Sequence, residues 1–385
     1  TTPYITELDH DLVVATGSAD ALLLQSEIGP LPRDGRGGVD AHALVEAGDE
    51  RVMAITWSTP SGLDTSRIPH EAAVAELDQT VRFWQRWSAH TTYDGPYREA
   101  VERSALAIKG LTDGRTGAVI AAATTSLPET MGGARNWDYR YTWVRDTTTM
   151  LNALIRLGHD YECRRFSQWI RATTAGRADE IQIMYGIGGE RILTETELTH
   201  LSGYRGSQPV RIGNGAWDQT QHDTYGWLLA SSWFSNAHTG ENGEHDDPHY
   251  ERFVEEVVEL AISEFDVVDE GIWEVRGGAR RYLISKLMLW LAVDLGVRLV
   301  EDHDGAQAVP EHWRVARDEM RRRIETEGVD QERGVFTQAF GSTALDAAAL
   351  QVPTLGFLPA DDPRVLATIE AIDEELGENG HIYRY

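Results

Sequence analysis

Residues 132 to 146, GGARNWDYRYTWVRD, gather three arginines, two aspartates, two tyrosines and two tryptophans behind a Gly-Gly turn. Buried chain is mostly aliphatic, and charged groups are rarely buried unless paired. Exposed loops rarely carry so many large aromatics. Forked donors and carboxylates suit hydroxyl groups, and flat rings suit the apolar face of a pyranose. The composition therefore fits a concave site for a polar, ring-shaped ligand such as a sugar. It equally fits a salt-bridged junction between two domains.

Three further stretches share this flavour. GIWEVRGG (271–278) sets Glu274 beside Trp273, with Arg276 two residues on and Gly277-Gly278 closing the turn. A carboxyl against an indole face is desolvated, which raises its pKa and suits a general acid that protonates a leaving glycosidic oxygen. The bland alternative is a Glu274–Arg276 ion pair at a helix entrance. RIGNGAWDQTQHDTYGW (211–227) follows a tight Asn214-Gly215 turn with Trp217, Gln219, Asp223 and Tyr225, which suits sugar hydroxyls or simply a capped helix with a polar face. HIYRY (381–385) again puts an arginine between aromatics. Thirteen histidines contain no HExxH and no H-x-H cluster, so no metal is expected. His222 reads as structural. GIGGE (186–190) lacks the lysine of a phosphate loop, and no serine sits in a G-x-S-x-G elbow. No cofactor is expected.

The elements that must position these residues are mostly helical. Residues 1–69 are the exception: DLVVAT, ALLLQSEI and RVMAITWS are short β-rich runs separated by turns, which predicts part of an antiparallel β-sandwich with no obvious first strand. Val74, Leu77, Val81 and Trp84 recur at helical spacing, so 70–96 is expected to be a helical connector that ends in the breaker TTYDGP. From 97 to 385, helices are predicted at 97–111, 147–157 (with Asp146 as N-cap), 160–175, 217–236, 247–263, 280–300, 309–326, 343–351 and 363–376. YLISKLMLWLAVDLGVRLV is apolar nearly all round, which predicts a helix enclosed by others. An α-toroid with an inner and an outer ring follows. The long loops 112–143 and 176–216 would gather at one end and build the site, and 238–248 reads as a surface loop.

Composition narrows the function classes. The 385 residues allow one large domain and a smaller one. Asp plus Glu number 62 and Lys plus Arg 35, giving 35 − 62 = −27. Such a field repels nucleic acid and anionic membrane, so neither is expected as a partner. The basic residues are arginines except Lys109 and Lys286. Together with the acid excess, this predicts a salt-adapted protein. One cysteine, Cys163, excludes an internal disulfide and fits a reducing, cytoplasmic setting. No apolar run approaches the roughly 18–20 residues of a membrane span. TTPYITELDHD does not read as a signal peptide, and without an initiator Met the start is expected to be processed or truncated.

With these stretches in hand, the chain resembles glycoside hydrolase family 15, the glucoamylases and related exo-α-glucosidases and trehalases. SLPETMGGARNWDYRYTWVRD, RIGNGAWDQTQHDTYG, GIWEVRGG with SKLMLWLAVD, and the closing YRY stand in the family's order, over roughly residues 70–385. The resemblance implies a β-sandwich followed by an (α/α)6 barrel, and inverting hydrolysis from the non-reducing end. It implies Glu274 as general acid, and Arg145 with Asp146 as the pair gripping the terminal glucose. Tyr139 and Trp143 would line that subsite, Trp273 would flank the acid, and Arg384 would face the substrate. Arg211, Asn214 and Trp217 are looser assignments at the cleft wall. Two departures stand out. Trp227 replaces an acidic residue after Tyr225-Gly226. The second carboxylate of an inverting mechanism falls, in the family, after the segment resembling YRY, so the last barrel helices and the base are expected to be missing. The leading expectation is an exo-acting glucoamylase that releases β-glucose from α-glucans or maltooligosaccharides. A trehalase shares the same terminal subsite, and a non-catalytic carbohydrate-binding module on the same barrel is the reading from a different class.

Overall fold

Alternation along the N-terminal strands is the simplest pattern in the chain. In β2 (Leu12–Gly17), Val13 turns to one face with Ile5 and Leu31, while Leu12 and Val14 turn to the other with Leu23. β1 (Tyr4–Asp9), β2, β3 (Asp20–Ser26) and β4 (Met53–Ser58) pair in that order as an antiparallel meander. The register sets Val13 opposite Leu24 and Leu24 opposite Ile55. β1 carries no sequence signal because Ile5 is its one buried residue, and the remaining positions are exposed. α1 (His70–Ser88) follows, its entry fixed by the Gln25 amide, which exchanges hydrogen bonds of 2.8 and 2.9 Å with Ile68. The periodicity that announces α1 does not mark a buried face: Leu77 and Val81 are exposed.

The structure, a computed structural model, describes residues 3–35, 37–174, 176–239, 248–275, 278–301 and 308–385. The chain folds as two units, Thr1–His90 and Thr91–Tyr385. Arg276 and Gly277, and with them the Glu274–Arg276 alternative, lie outside the described residues, as does most of the 238–248 loop.

The second unit is helical. It contains α2 (Arg98–Gly110), α3 (Val144–Arg156), α4 (Tyr161–Thr173), α5 (Asp223–Thr239), α6 (Pro248–Ser263), α7 (Leu283–Glu301), α8 (Glu311–Glu327), the short α9 (Gln351–Thr354) and α10 (Pro363–Leu376). α3 packs on α5 and α5 on α7, while α4, α6 and α8 pack outside them. This is the alternation of inner and outer helices of an α/α barrel. The enclosed helix is α7, as its all-round apolar sequence requires: even Lys286 and Ser285 are fully buried. α8 is an outer helix and buries only a stripe, Trp313, Met320 and Ile324. The inner helices approach closely where side chains vanish. A Cβ on Gly226 of α5 would meet the Met288 carbonyl of α7 at 2.3 Å.

Several helix starts differ from the sequence reading. The helix expected at 343–351 is a 3-10 turn at Ala347–Leu350 followed by α9. Two further differences matter to the site. α3 begins at Val144 with Trp143 at its cap, so Asp146 lies in the first turn instead of capping the helix. α5 begins at Asp223 rather than 217, because 216–222 is spent in turns such as Trp217 N–H to Asn214 O, 3.2 Å.

Candidate active site

Eight of the ten residues singled out in the sequence line one cavity of about 630 Å³: Tyr139, Trp143, Arg145, Asp146, Asn214, Trp273, Glu274 and Arg384. They arrive from the loop before α3, the start of α3, the loop before α5, the loop before α7, and the C-terminal segment. The sequence separation between Arg145 and Glu274 is thus closed by the ring of helices, whose loop ends converge here.

The Glu274 carboxylate is held by two donors. Trp143 Nε1 donates to Oε1 at 2.7 Å, and Arg145 Nη2 reaches the same oxygen at 3.4 Å. Among the described residues both donors converge on Oε1. Trp143 can do this because its ring is 2% exposed, locked among Ile183, Met184, Leu193 and Ala216, and packed 5.8 Å from Tyr139 between ring centroids. Glu274 itself has φ +55°, the left-handed region, which costs a non-glycine residue about 1–3 kcal/mol and persists where surrounding contacts enforce it.

Arg145 is the electrostatic centre. Its guanidinium is 17% exposed and meets Asp146 at 3.3 Å, Glu274 at 3.4 Å and Asp223 at 3.7 Å. Gln221 Oε1 accepts from Nη1 at 2.9 Å. Burial works against the charge on Arg145, but Asp223, Asp146 and Glu274 outweigh it and hold the group above the ordinary arginine range. For Asp223 the order is reversed: complete burial pushes its carboxyl up, and Arg145 and Trp227 work against that. Trp227, the departure at the family's acidic position, donates Nε1 to Asp223 Oδ2 at 3.1 Å. It is a support for the arginine's counter-ion, one helical turn behind the cavity.

The RNWDYR run owes its shape to Asp138, which is fully buried. Burial opposes its charge, but the Arg140 fork at 2.9 and 2.7 Å and the Gly213 N–H at 3.2 Å hold the carboxyl below the usual range. Asn214 Nδ2 donates to the Asp138 carbonyl at 3.2 Å. Asp138 therefore pins 136–141 to 211–214. Gly213, at φ +77°, is required there: a Cβ would sit 2.0 Å from the Thr194 carbonyl.

Arg211 and Trp217 do not line the cavity. Arg211 stacks behind it, 4.8 Å over the Trp137 ring, with Nη1 donating to Ala134 O at 2.8 Å and Glu195 3.4 Å away. Trp217 packs against the Trp143 cluster. Trp137 itself lines the cavity, as do Glu129, Arg135 and Tyr385. Trp137 lay in plain view inside the aromatic run; Glu129 and Arg135 sit at the ends of a turn whose inward direction has no sequence signal. Asp346 gives none either, yet its carboxylate accepts the Trp273 indole N–H at 2.9 and 3.1 Å. His222 is structural as expected: burial, then Lys286, pull it down to about 4, and its backbone N–H donates to Asp269 at 3.0 Å.

Among the described residues, the one group of three metal-type ligands within reach of each other is Asp9, His10 and Asp11, in the first unit. Arg67 already pairs with both aspartates at 2.8 and 2.5 Å.

Paired helices around a polar, aromatic-walled cavity define the α/α-barrel class. Solved glycosidases share the fold: a variant in complex with glucose aligns with TM-score 0.57 at 19% identity, over 74% of this chain and 71% of that one. A wild-type glycosidase gives 0.55 at 20%, over 74% and 71%. The profile of glycosyl hydrolases family 15 matches residues 95–385, and the chain belongs to that family, with an antiparallel sheet in its N-terminal unit and an (α/α)6-type barrel in the unit that follows in sequence. It is 43% identical over 349 residues to a trehalase of Mycobacterium tuberculosis, covering 90% of this chain and 50% of that protein. It is 38% identical over 309 residues to a trehalase of Thermoplasma acidophilum, covering 80% and 52%. The chain spans about half the length of the curated relatives it matches. No helix among the described residues is long and apolar enough to cross a membrane.

Proposed function

We propose that the cavity is the glucose-binding and proton-donating part of a glycoside hydrolase that acts on α,α-trehalose. The observation that carries it is the contact of Glu274 with Trp143 and Arg145 at the wall of the cavity. One carboxylate, held by an indole N–H and a guanidinium, stands beside a guanidinium–carboxylate pair fit to grip vicinal hydroxyls. In this reading Arg145 and Asp146 hold the terminal glucose, Trp143 and Tyr139 wall its subsite, and Glu274 protonates the glycosidic oxygen. Arg384, stacked 5.1 Å over Trp273, faces the sugar from beside the acid. Water entering from the other face of the ring would invert the anomeric centre. That step needs a second carboxylate about 6.5–9.5 Å from the acid.

Trehalose takes the place of the maltooligosaccharides expected from sequence alone. The terminal subsite is common to both substrates and does not separate them. The weight on trehalose comes from relatives named trehalases at 43% and 38% identity. The test compares glucose release from trehalose, maltose and maltotriose, with Glu274→Gln as control. Release from trehalose in large excess, abolished by Glu274→Gln with glucose still bound, supports the reading. Preference for maltotriose returns it to a glucoamylase, and full turnover by Glu274→Gln removes the acid.

A further inference from the structure

Glu274 sits in a left-handed turn that a glutamate does not favour, so something must enforce it. Two backbone bonds belong to the turn itself: Glu274 N–H to Gly271 O at 3.1 Å and Val275 N–H to Glu270 O at 3.2 Å. The next restraint is the neighbouring side chain. Trp273 Nε1 donates into the fork of the Asp346 carboxylate, 2.9 Å from Oδ1 and 3.1 Å from Oδ2. Asp346 is 3% exposed and is itself fixed: Oδ1 accepts the Ala348 N–H at 2.7 Å, capping the turn of 3-10 helix Ala347–Leu350, and Gln338 Nε2 approaches Oδ2 at 3.5 Å. The intervening residue closes a circuit. Ala347 N–H donates to the Arg384 carbonyl at 2.9 Å, and the Arg384 guanidinium returns over the same Trp273 ring at 5.1 Å.

We infer that Asp346 is the positioning residue of this site: its carboxylate fixes the Trp273 indole, and through that ring it sets both Glu274 and Arg384 against the sugar. The inference rests on the sugar-site reading above. Asp346 does not touch the ligand. It lies behind Trp273, and neither the aromatic-rich motifs nor the charge pattern of the sequence points to it. A buried carboxylate spent on an indole N–H is an expensive acceptor where a backbone carbonyl would serve. What the carboxylate adds is a planar fork that restrains the ring's rotation as well as its distance, with Oδ1 shared between the indole N–H and the Ala348 N–H of the turn that holds Arg384. A cation stacked on an indole is sensitive to ring orientation, because the attraction is to the ring face.

The experiment uses the whole chain, with glucose as probe, and reads two quantities. One is glucose affinity by calorimetry. The other is the near-ultraviolet circular dichroism of Trp273, identified by difference against Trp273→Phe. Asp346→Ala is expected to lose the Trp273 band and to weaken glucose on the order of tenfold, the scale of one lost charge-assisted hydrogen bond. Asp346→Asn keeps the shape and one acceptor oxygen for the indole and the Ala348 N–H but loses the fork, and should fall between the parent and the alanine variant in both readouts. Three results would overturn the inference: an alanine variant that keeps its glucose affinity whether or not the band is lost, one whose affinity falls while the Trp273 band stays intact, or an asparagine variant as impaired as the alanine one while folded. Arg145→Ala separates the inference from its premise. It should abolish glucose binding with the Trp273 band intact. If Arg145→Ala binds glucose like the parent, or the parent binds none, the sugar-site reading fails, and the band alone then decides whether Asp346 anchors Trp273.

Discussion

Arg145→Met is the sharpest test of how the cavity is held together. The guanidinium stands 3.7 Å from Asp223, a carboxylate with no exposed surface whose other side-chain partner is Trp227 at 3.1 Å. Removing one member of a buried pair leaves an uncompensated charge, at a cost of about 3–5 kcal/mol. The carboxyl can escape by taking a proton, which sets an upper bound. From an unfolded value of 3.8, protonation at about pH 7.5 costs about 5 kcal/mol, and at about pH 5 only about 1.6 kcal/mol. The sign follows from linkage. A carboxyl whose folded pKa is raised contributes stability that is present below 3.8 and is lost as pH rises toward the folded value. Without Arg145 that value rises further, so the window of loss widens upward. Urea unfolding should therefore give a deficit of about 3–5 kcal/mol at about pH 7.5 that shrinks to about 1.5 kcal/mol at about pH 5. Adding Asp223→Asn removes the stranded charge and should recover most of it. A deficit that is equal at both pH values, or is untouched by Asp223→Asn, refutes the pairing as the reason for the arginine's place.

Trp227→Phe removes the indole N–H from Asp223 and should cost about 1.5–3 kcal/mol in the same urea assay, the range for a hydrogen bond to a charged group; a change below about 0.5 kcal/mol would make Trp227 mere packing. Lys286, fully buried in α7, is pulled by burial from 10.5 to about 8 against the charge of Asp269. Between those values the unfolded chain holds the proton and the folded one does not, so stability should rise with pH by about 1.4 kcal/mol per unit, and Lys286→Met should flatten that slope. Urea midpoints at two pH values within the window measure it, and an equal slope in both proteins rules it out. The net charge of −27 predicts that molar KCl raises stability and sustains activity by screening self-repulsion; full activity in dilute buffer with loss at molar KCl would dismiss salt adaptation.

The helices were legible because their signal is local. α7 is apolar on every side and is buried on nearly every side, so its all-round apolarity was enough to mark it as an enclosed helix. β1 was invisible for the matching reason, with Ile5 alone turned inward. α1 shows the limit of the same rule: its apolar spacing forecasts a helix correctly but not a buried face, since Leu77 and Val81 are exposed. The site was legible where aromatics and charges crowd together, at 137–146 and 272–275. It was not legible where a residue acts across the fold. Arg211 looks like a ligand-binding arginine by type, yet its partners Glu195 and the Trp137 ring place it behind the wall.

What sequence could not separate is the carboxylates that hold the site from those that face the ligand. Asp138, Asp269 and Asp346 are each at most 3% exposed, and each joins two distant stretches. Asp138 ties 136–141 to Gly213, Asp269 ties His222 to Ser285 of α7 at 3.0 and 2.6 Å, and Asp346 ties Trp273 to the turn at 347–348. Asp146 and Glu274 are partly exposed and meet only Arg145 and the Trp143 N–H among the described residues. Burial explains the division. A buried carboxylate persists when the protein supplies its partners, as Arg140 does for Asp138 and the Trp273 and Ala348 N–H groups do for Asp346, so it is committed to structure. Asp269 is held through Oδ2 alone; its Oδ1 is buried without a hydrogen bond among the described residues, and burial pushes its carboxyl up to about 6. A carboxylate at the cavity wall keeps an oxygen that solvent satisfies when the site is empty and a sugar hydroxyl can satisfy when it is full. The acidic excess that looks uniform in composition thus has two populations at this site, and substitutions should separate them. Loss of a buried aspartate should lower stability first, and loss of Asp146 or Glu274 should lower ligand affinity or turnover with little change in the urea midpoint.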